Sequence, residues 1–330
     1  VDHDGDMDFF VGNVGSPTGY GLLKPSYLYL NNGKAAFTLA STQMIDLVNL
    51  GIVTSAAFAD VNSDGWDDLL VTGEWMPLKV FINNKGTFTA TDVAASTGWW
   101  QTMMLTDVDG DGDKDVLAGN WGHNSKLWER KDGPLKLYVK DFDNNGKTEQ
   151  ILAYTAGDKE YPFLAKDELE RQLPVLKKAY VTYTEVAGKT VDYIFYDLFK
   201  DYKELKAEVL SSSVFINDGK GTFKRYDLND ELQISPVMSF TSVGAKAGYI
   251  AGGNFYGVIP YEGRYDALYP SLFSFEGTTT ALYATMPAIS GEVRDMKWIT
   301  TKGGNKILAI ARNNEPLIFL KSIGELQTMK

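Results

Sequence analysis

Ala59-Asp60-Val61-Asn62-Ser63-Asp64-Gly65-Trp66-Asp67-Asp68-Leu69-Leu70-Val71 carries the spacing D-x-[DN]-x-[DN]-G-x-x-[DE] between two apolar runs. Ala56 to Asp60 on one side and Leu69 to Val71 on the other read as short strands. When such a loop curls, the alternate oxygen-bearing side chains of Asp60, Asn62 and Asp64 converge, and Gly65 supplies the sharp turn. Trp66 then offers its backbone carbonyl and Asp68 closes the set, which is the ligand chemistry of a hard cation such as Ca²⁺. An EF-hand begins the same way but needs its last carboxylate three positions later and a helix on each side. Strands flank this loop, so that reading fails.

Working outward, the unit recurs. Met103-Met104-Leu105 leads into Asp107, Asp109, Asp111, Gly112, Asp113 and Asp115, followed by Val116-Leu117-Ala118. Leu137-Tyr138-Val139 leads into Asp141, Asp143, Asn145, Gly146, Lys147 and Glu149, followed by Ile151-Leu152-Ala153. The chain start fits a copy entered midway, with Asp2, Asp4, Gly5, Asp6 and Asp8 before Phe9-Phe10-Val11; its first ligand position would precede Val1. Asp6, Asp113 and Lys147 stand where Trp66 stands, as carbonyl donors. One such loop alone is commonly just a polar turn, but four copies in one spacing point to three or four Ca²⁺ sites.

Behind the strand pairs come hairpins: Tyr29-Leu30-Asn31-Asn32-Gly33, Phe81-Ile82-Asn83-Asn84 and Phe215-Ile216-Asn217-Asp218-Gly219, each followed by a Phe. Asn, Asp and Gly tolerate the positive φ that tight hairpins demand. Four short strands per unit, at spacings near the ~40 to 50 residues of a blade, predict an all-β fold: a β-propeller of six to seven four-stranded blades. About six units are counted, one entered midway, which suits a ring of seven continued upstream or a ring closed by the chain termini. The whole of 1–330 is read as this single domain, with its first blade truncated. Units around Ser239 to Tyr261 and Val293 to Phe319 lack the acidic loop and carry Lys246-Ala247-Gly248 and Lys302-Gly303-Gly304 instead.

From 166 to 210 the period changes. Leu169, Leu173, Leu176 and Tyr180 recur at helical spacing, with Asp167 as N-cap and Glu170 completing a capping box. Pro174 kinks or restarts this helix. A second piece beginning near Thr190 places Tyr193, Ile194 and Leu198 on its apolar side. The segment reads as a helical insertion within one blade.

Composition narrows the function. The net charge is -11, with no basic patch, which excludes a phosphate-backbone partner such as nucleic acid. Sixteen of the 43 acidic residues lie in the four loops, and four bound Ca²⁺ would bring the charge to about -3. Cysteine is absent, which removes disulfides and thiol chemistry. No apolar run approaches the ~18 residues of a membrane-spanning helix. The start at Val1-Asp2-His3, with neither an initiator Met nor a leader, reads as a piece of a longer polypeptide.

No phosphate-binding loop, nucleophile elbow or zinc-protease motif is present, so the expected protein is not an enzyme. Glu262, Arg264 and Asp266 are the best candidates for a carboxylate site acting on polysaccharide, although a salt-bridged turn explains them equally well. Trp75, Trp99, Trp100 and Trp121 would stack on sugar rings in a glycan-binding module, or pack between blades.

The stretch 59–71 resembles the FG-GAP and VCBS repeats, whose propeller is also found in the integrin α-subunit head. Thr97-Gly98-Trp99-Trp100, Gly119 to Ser125, Asp167-Glu168-Leu169 with Gln172-Leu173-Pro174, and Gly263-Arg264-Tyr265-Asp266 are similar to bacterial VCBS-repeat proteins related to the cartilage acidic protein group. The resemblance implies an exported or outer-membrane-anchored protein of a Gram-negative bacterium, meeting a protein partner or a glycan at the cell envelope. The last two units depart from the repeat, so no calcium site is carried over to them.

Overall fold

The computed structural model describes residues 1–16, 19–127, 132–244, 248–259 and 263–321. Antiparallel sheets account for nearly all of its regular structure, and the chain is all-β as the sequence implies. Sheet I contains β1 (Phe9–Val11), β2 (Tyr27–Asn31) and β3 (Phe37–Leu39). Sheet II contains β4 (Ile52–Ala59), β5 (Asp68–Met76), β6 (Lys79–Asn84) and β7 (Thr87–Asp92), with β8 (Gly98–Trp99) paired to the far end of β5.

Sheet III begins with β9 (Thr102–Thr106) and β10 (Asp115–Gly119), but the chain then leaves it. It builds sheet IV from β11 (Leu135–Lys140), β12 (Glu149–Ala156) and β13 (Lys159–Pro162), passes through a helical stretch, and returns as β14 (Lys203–Ala207) on the open side of β11. Only then do β15 (Ser213–Asn217) and β16 (Phe223–Asp227) complete sheet III, with Val116 opposite Phe215 and Ala118 opposite Ser213. The hairpin at 215–223 therefore belongs to the third acidic loop. The fourth loop lies in a sheet inserted between two strands of its neighbour.

Sheet V contains β17 (Val237–Gly244), β18 (Gly248–Gly253), β19 (Ser271–Glu276) and β20 (Thr279–Thr285). Sheet VI contains β21 (Val293–Thr300), β22 (Lys306–Arg312) and β23 (Ile318–Lys321). Lys302-Gly303-Gly304 form a plain turn, closed by the Thr301 N–H on the Asn305 carbonyl at 2.9 Å. Lys246 and Ala247 lie outside the described residues.

Side-chain alternation explains the stacking. Along β5, Leu69 and Val71 face sheet I while Leu70 faces sheet III. Along β10, Val116 and Ala118 face sheet II while Leu117 faces sheet V; on β18, Ala251 faces sheet III and Ile250 faces sheet VI. Strands buried on both faces read as continuous apolar runs, and each run joins two cores. The first strands β4, β9, β17 and β21 stand side by side, so sheets II, III, V and VI follow one another as in a β-propeller-like fold.

The helical stretch is shorter than the period suggests. It contains α1 (Lys166–Gln172), α2 (Leu176–Ala179), α3 (Tyr183–Val186), α4 (Val191–Phe195) and a final 3₁₀ turn at Tyr196–Leu198; residues 203–207 return to strand. Pro174 separates α1 from α2. Asp167 lies inside α1, whose N-cap is Ala165, and Glu170 pairs with Lys166 instead of closing a box. The capping box forms at Thr182 and Glu185, where the Glu185 carboxylate accepts the Thr182 N–H at 2.7 Å. Ile194 is buried as expected, whereas Tyr193 is exposed. Leu169, Leu173, Leu176, Ile194 and Phe195 pack on Tyr138 and Ile151 of sheet IV, so the helices cover that sheet.

Candidate cation-binding loops

Each acidic loop is curled by hydrogen bonds from its own backbone. In the second loop the Gly65 N–H donates to Asp60 Oδ2 at 2.8 Å. The Gly112 N–H reaches Asp107 Oδ2 at 3.1 Å and the Gly146 N–H reaches Asp141 Oδ2 at 2.8 Å in the same manner. The turn at the sixth position needs positive φ: 93° at Gly5, 87° at Gly65, 100° at Gly112 and 85° at Gly146. Glycine adopts this region at no steric cost.

The ninth position differs from the rest. Asp68, Asp115 and Glu149 are buried, while the other ligand positions are half-buried or exposed. Both oxygens of Asp68 are bonded to backbone: Oδ2 accepts the Val61 N–H at 3.0 Å and Oδ1 the Asn83 N–H at 2.8 Å. Asp115 repeats this with Val108 at 2.8 Å and Asn217 at 2.9 Å, and Glu149 accepts the Phe142 N–H at 2.9 Å. In the first loop Asp8 Oδ1 accepts the Asn31 N–H at 2.9 Å, and the nitrogen of Val1, the second-position residue, donates to Asp8 Oδ2 at 2.6 Å.

Burial pushes the Asp115 carboxyl up to about 6 and raises those of Asp68 and Glu149. Asp6 and Asp113 are also raised, by desolvation and then by the charges of neighbouring loop aspartates. A bound cation offsets this kind of repulsion.

Two loops bring three carboxylates together: Asp107, Asp109 and Asp115, and Asp141, Asp143 and Glu149, each group with one oxygen apiece within 4.8 Å of the others. Asp143 Oδ1 and, in the first loop, Asp6 Oδ1 are buried without a hydrogen-bond partner. Such all-oxygen sets, with orphaned acceptors, fit a hard cation. Asp111 stands outside the third-loop group. In the second loop Asp64 Oδ1 accepts the Trp66 N–H at 2.8 Å and Asn62 Nδ2 donates to Asp64 Oδ2 at 3.0 Å, so its oxygens are turned onto the loop itself. Asp2 and Asp4 likewise accept the N–H groups of Asp4 and Asp6. Asn145 Oδ1 accepts the Lys147 N–H at 2.8 Å.

The first two loops also touch through their side chains. His3 stacks on Trp66 with 3.7 Å between ring centroids and 4° between planes. Sequence reasoning missed this contact, because neither residue is a ligand side chain.

The tryptophans are not displayed. Trp75, Trp100 and Trp121 are buried, and Trp99 stacks on Trp121 at 4.6 Å and tilts against Trp75 at 4.7 Å. Leu135, Leu137 and Val139 of sheet IV cover Trp75, Trp99 and Trp121 at the end of sheets II and III opposite the acidic loops, whereas Trp100 lies in the core between those two sheets against Phe215. Among the polysaccharide candidates, Glu262 lies outside the described residues, Arg264 sits over the Tyr256 ring at 4.7 Å and Asp266 is exposed. His123 bonds Ser211 Oγ at 2.8 Å, and burial lowers its basicity.

Residues 1–71 and 60–118 match the family of the FG-GAP-like repeat. The match takes in the first three loops and the strands that follow them, and it supports the FG-GAP repeat for that part of the chain. No curated protein matches the chain.

Proposed function

We propose that this protein is a non-catalytic β-propeller whose blades are clamped by Ca²⁺ and which presents a surface to a protein partner outside the cell. The FG-GAP repeat match supports it, since such repeats are generally protein-interaction modules. The observation that carries the calcium part is the convergence of Asp107, Asp109 and Asp115, and of Asp141, Asp143 and Glu149. Asp60, Asn62, Asp64 and Asp68 would complete a second-loop set once Asp64 rotates off its local bonds.

A cation held this way ties the start of one strand to the end of the strand before it, on the same end of successive sheets. Sheet IV packs on Trp75, Trp99 and Trp121 at the other end of sheets II and III, and the end with the first three loops is where a partner would read the acidic surface. An extracellular or outer-membrane setting would fill even sites with Kd of roughly 10⁻⁴ to 10⁻³ M. The glycan alternative loses the residues that suggested it, because the indoles pack on one another.

Calorimetric titration of the EDTA-stripped chain with Ca²⁺, paired with its melting curve, tests the reading. Binding at three or four sites with a raised Tm is expected, since a ligand selective for the folded state stabilises it by about 2.7 kcal/mol at a hundredfold excess over Kd. Calcium-dependent capture of a partner from envelope extract would extend it to function. Absence of binding, with Tm unchanged by EDTA, would reduce the loops to turns.

A further inference from the structure

Asn83 and Asn217 occupy equivalent places at the start of their hairpins and are buried, 0% and 3% exposed. Each backbone N–H serves the ninth-position carboxylate of its own sheet, Asp68 or Asp115. Each side-chain carbonyl accepts a turn amide, from Gly86 at 2.7 Å or Gly221 at 3.2 Å. Each side-chain Nδ2 crosses to the preceding sheet: Asn217 donates to the Val61 carbonyl at 2.8 Å and Asn83 to the Val1 carbonyl at 2.8 Å.

These bonds form one continuous path. From Asp115 it passes through Asn217 to the carbonyl of Val61, and the N–H of the same residue, on the adjoining peptide group, is bonded to Asp68; from Asp68 it passes through Asn83 to the carbonyl of Val1, whose nitrogen is bonded to Asp8. Three loops in three sheets are thus joined through alternating carboxylates and asparagines. The fourth loop is outside the path, because no hairpin asparagine reaches Glu149 among the described residues.

We propose that Asn83 and Asn217 are positioning residues that couple the first three loops, so that a cation in one loop raises the affinity of the next while the fourth loop binds independently. The proposal rests on the reading of the loops as cation sites. The physical cause is that the ninth carboxylate and the second-position peptide must settle together when a cation binds. Val61 is pinned at both its N–H and its carbonyl, so a shift of one is a shift of the other, and the settling passes across the sheet boundary by position. The coupling is reciprocal between any two of the first three loops.

The test uses the full chain, stripped with EDTA and titrated with Ca²⁺ by calorimetry and with Tb³⁺ by luminescence. Excitation through Trp66, which stacks on His3, makes the Tb³⁺ signal report the first and second loops, and the part of it lost in an Asp60→Asn variant is the second loop's. Asp109→Asn weakens the third loop, and it is expected to lower second-loop affinity about five-fold or more. In an Asn217→Ser background the same change leaves the second loop unmoved, and fourth-loop affinity is constant throughout.

A merely structural asparagine would lower the melting temperature and leave the effect of Asp109→Asn intact. Should near-UV dichroism show that Asn217→Ser is unfolded, Asn217→Asp keeps an acceptor for the Gly221 N–H and removes the donor, and its added charge, present with and without Asp109→Asn, cancels in the difference that measures the coupling. An Asp109→Asn effect on the second loop that is absent in the parent chain, or the same with and without Asn217, overturns the coupling. No cation bound anywhere in the parent chain overturns the site reading itself, which is a separate result.

Discussion

Asp115 accepts the backbone N–H of Asn217 at 2.9 Å although 102 residues separate them, and with its other oxygen it accepts the N–H of Val108. One carboxylate thus holds a loop shut and binds two strands whose connection runs through a whole inserted sheet.

Asp115→Ala leaves two buried amides without acceptors, each costing about 1–3 kcal/mol. Urea denaturation in EDTA is expected to show a loss of about 2–5 kcal/mol, with Asp115→Asn losing less because one acceptor remains. Asp111→Ala, exposed and outside the carboxylate group, is expected to stay within about 0.5 kcal/mol under the same conditions. Equal losses for Asp115→Ala and Asp111→Ala would refute the structural role of the ninth position.

Burial lifts the Asp115 carboxyl to about 6, above its value in an unfolded chain. Between about pH 4 and pH 6 the folded state therefore binds more protons than the unfolded state. This group's contribution to stability is greatest at acid pH and is lost as pH rises through 6. In EDTA, the Tm of the parent chain should fall with rising pH more steeply than that of Asp115→Asn. Saturating Ca²⁺, which favours the carboxylate, should reverse the trend.

Gly65 and Gly112 sit at φ 87° and 100°, with open space where a Cβ would stand. Gly→Ala at either site incurs only the left-handed backbone penalty, about 1–2 kcal/mol. The expected result is weaker Ca²⁺ binding at that loop, read by calorimetry, with near-UV dichroism unchanged.

Trp100 is fully buried and donates from Nε1 to the Ser96 carbonyl at 2.8 Å. Trp100→Ala should lower stability by about 3–5 kcal/mol. Tryptophan emission from the Trp75, Trp99 and Trp121 stack should resist acrylamide and stay unmoved by oligosaccharides. A sugar-induced shift would restore the glycan reading.

Much of the fold was legible because local chemistry writes it into short windows. Asp, Asn and Gly at alternating positions specify a curled loop wherever they occur, and apolar runs of three on either side specify strands. The helical stretch was legible in its period but not in its ends. Asp167 and Glu170 have the spacing of a capping box, yet packing on Tyr138 and Ile151 begins the helix earlier and turns Glu170 toward Lys166. The ligand sets were legible as positions. Their present convergence was not, since the spacing does not say which carboxylates meet: Asp107, Asp109 and Asp115 do, while Asp111, in the same motif, stands outside the group.

The sequence by itself determined the repeat, the all-β class and the candidate ligands, because each depends on residues within about ten positions of one another. Only the tertiary structure decided which hairpin serves which loop, where sheet IV is inserted, and that Trp75, Trp99 and Trp121 pack together. Those outcomes rest on pairings such as Val116 with Phe215 and Asn217 with Val61. A β-ladder is closed by backbone groups common to every residue, so its partner is chosen by the packing of whole sheets and leaves little trace in any local pattern.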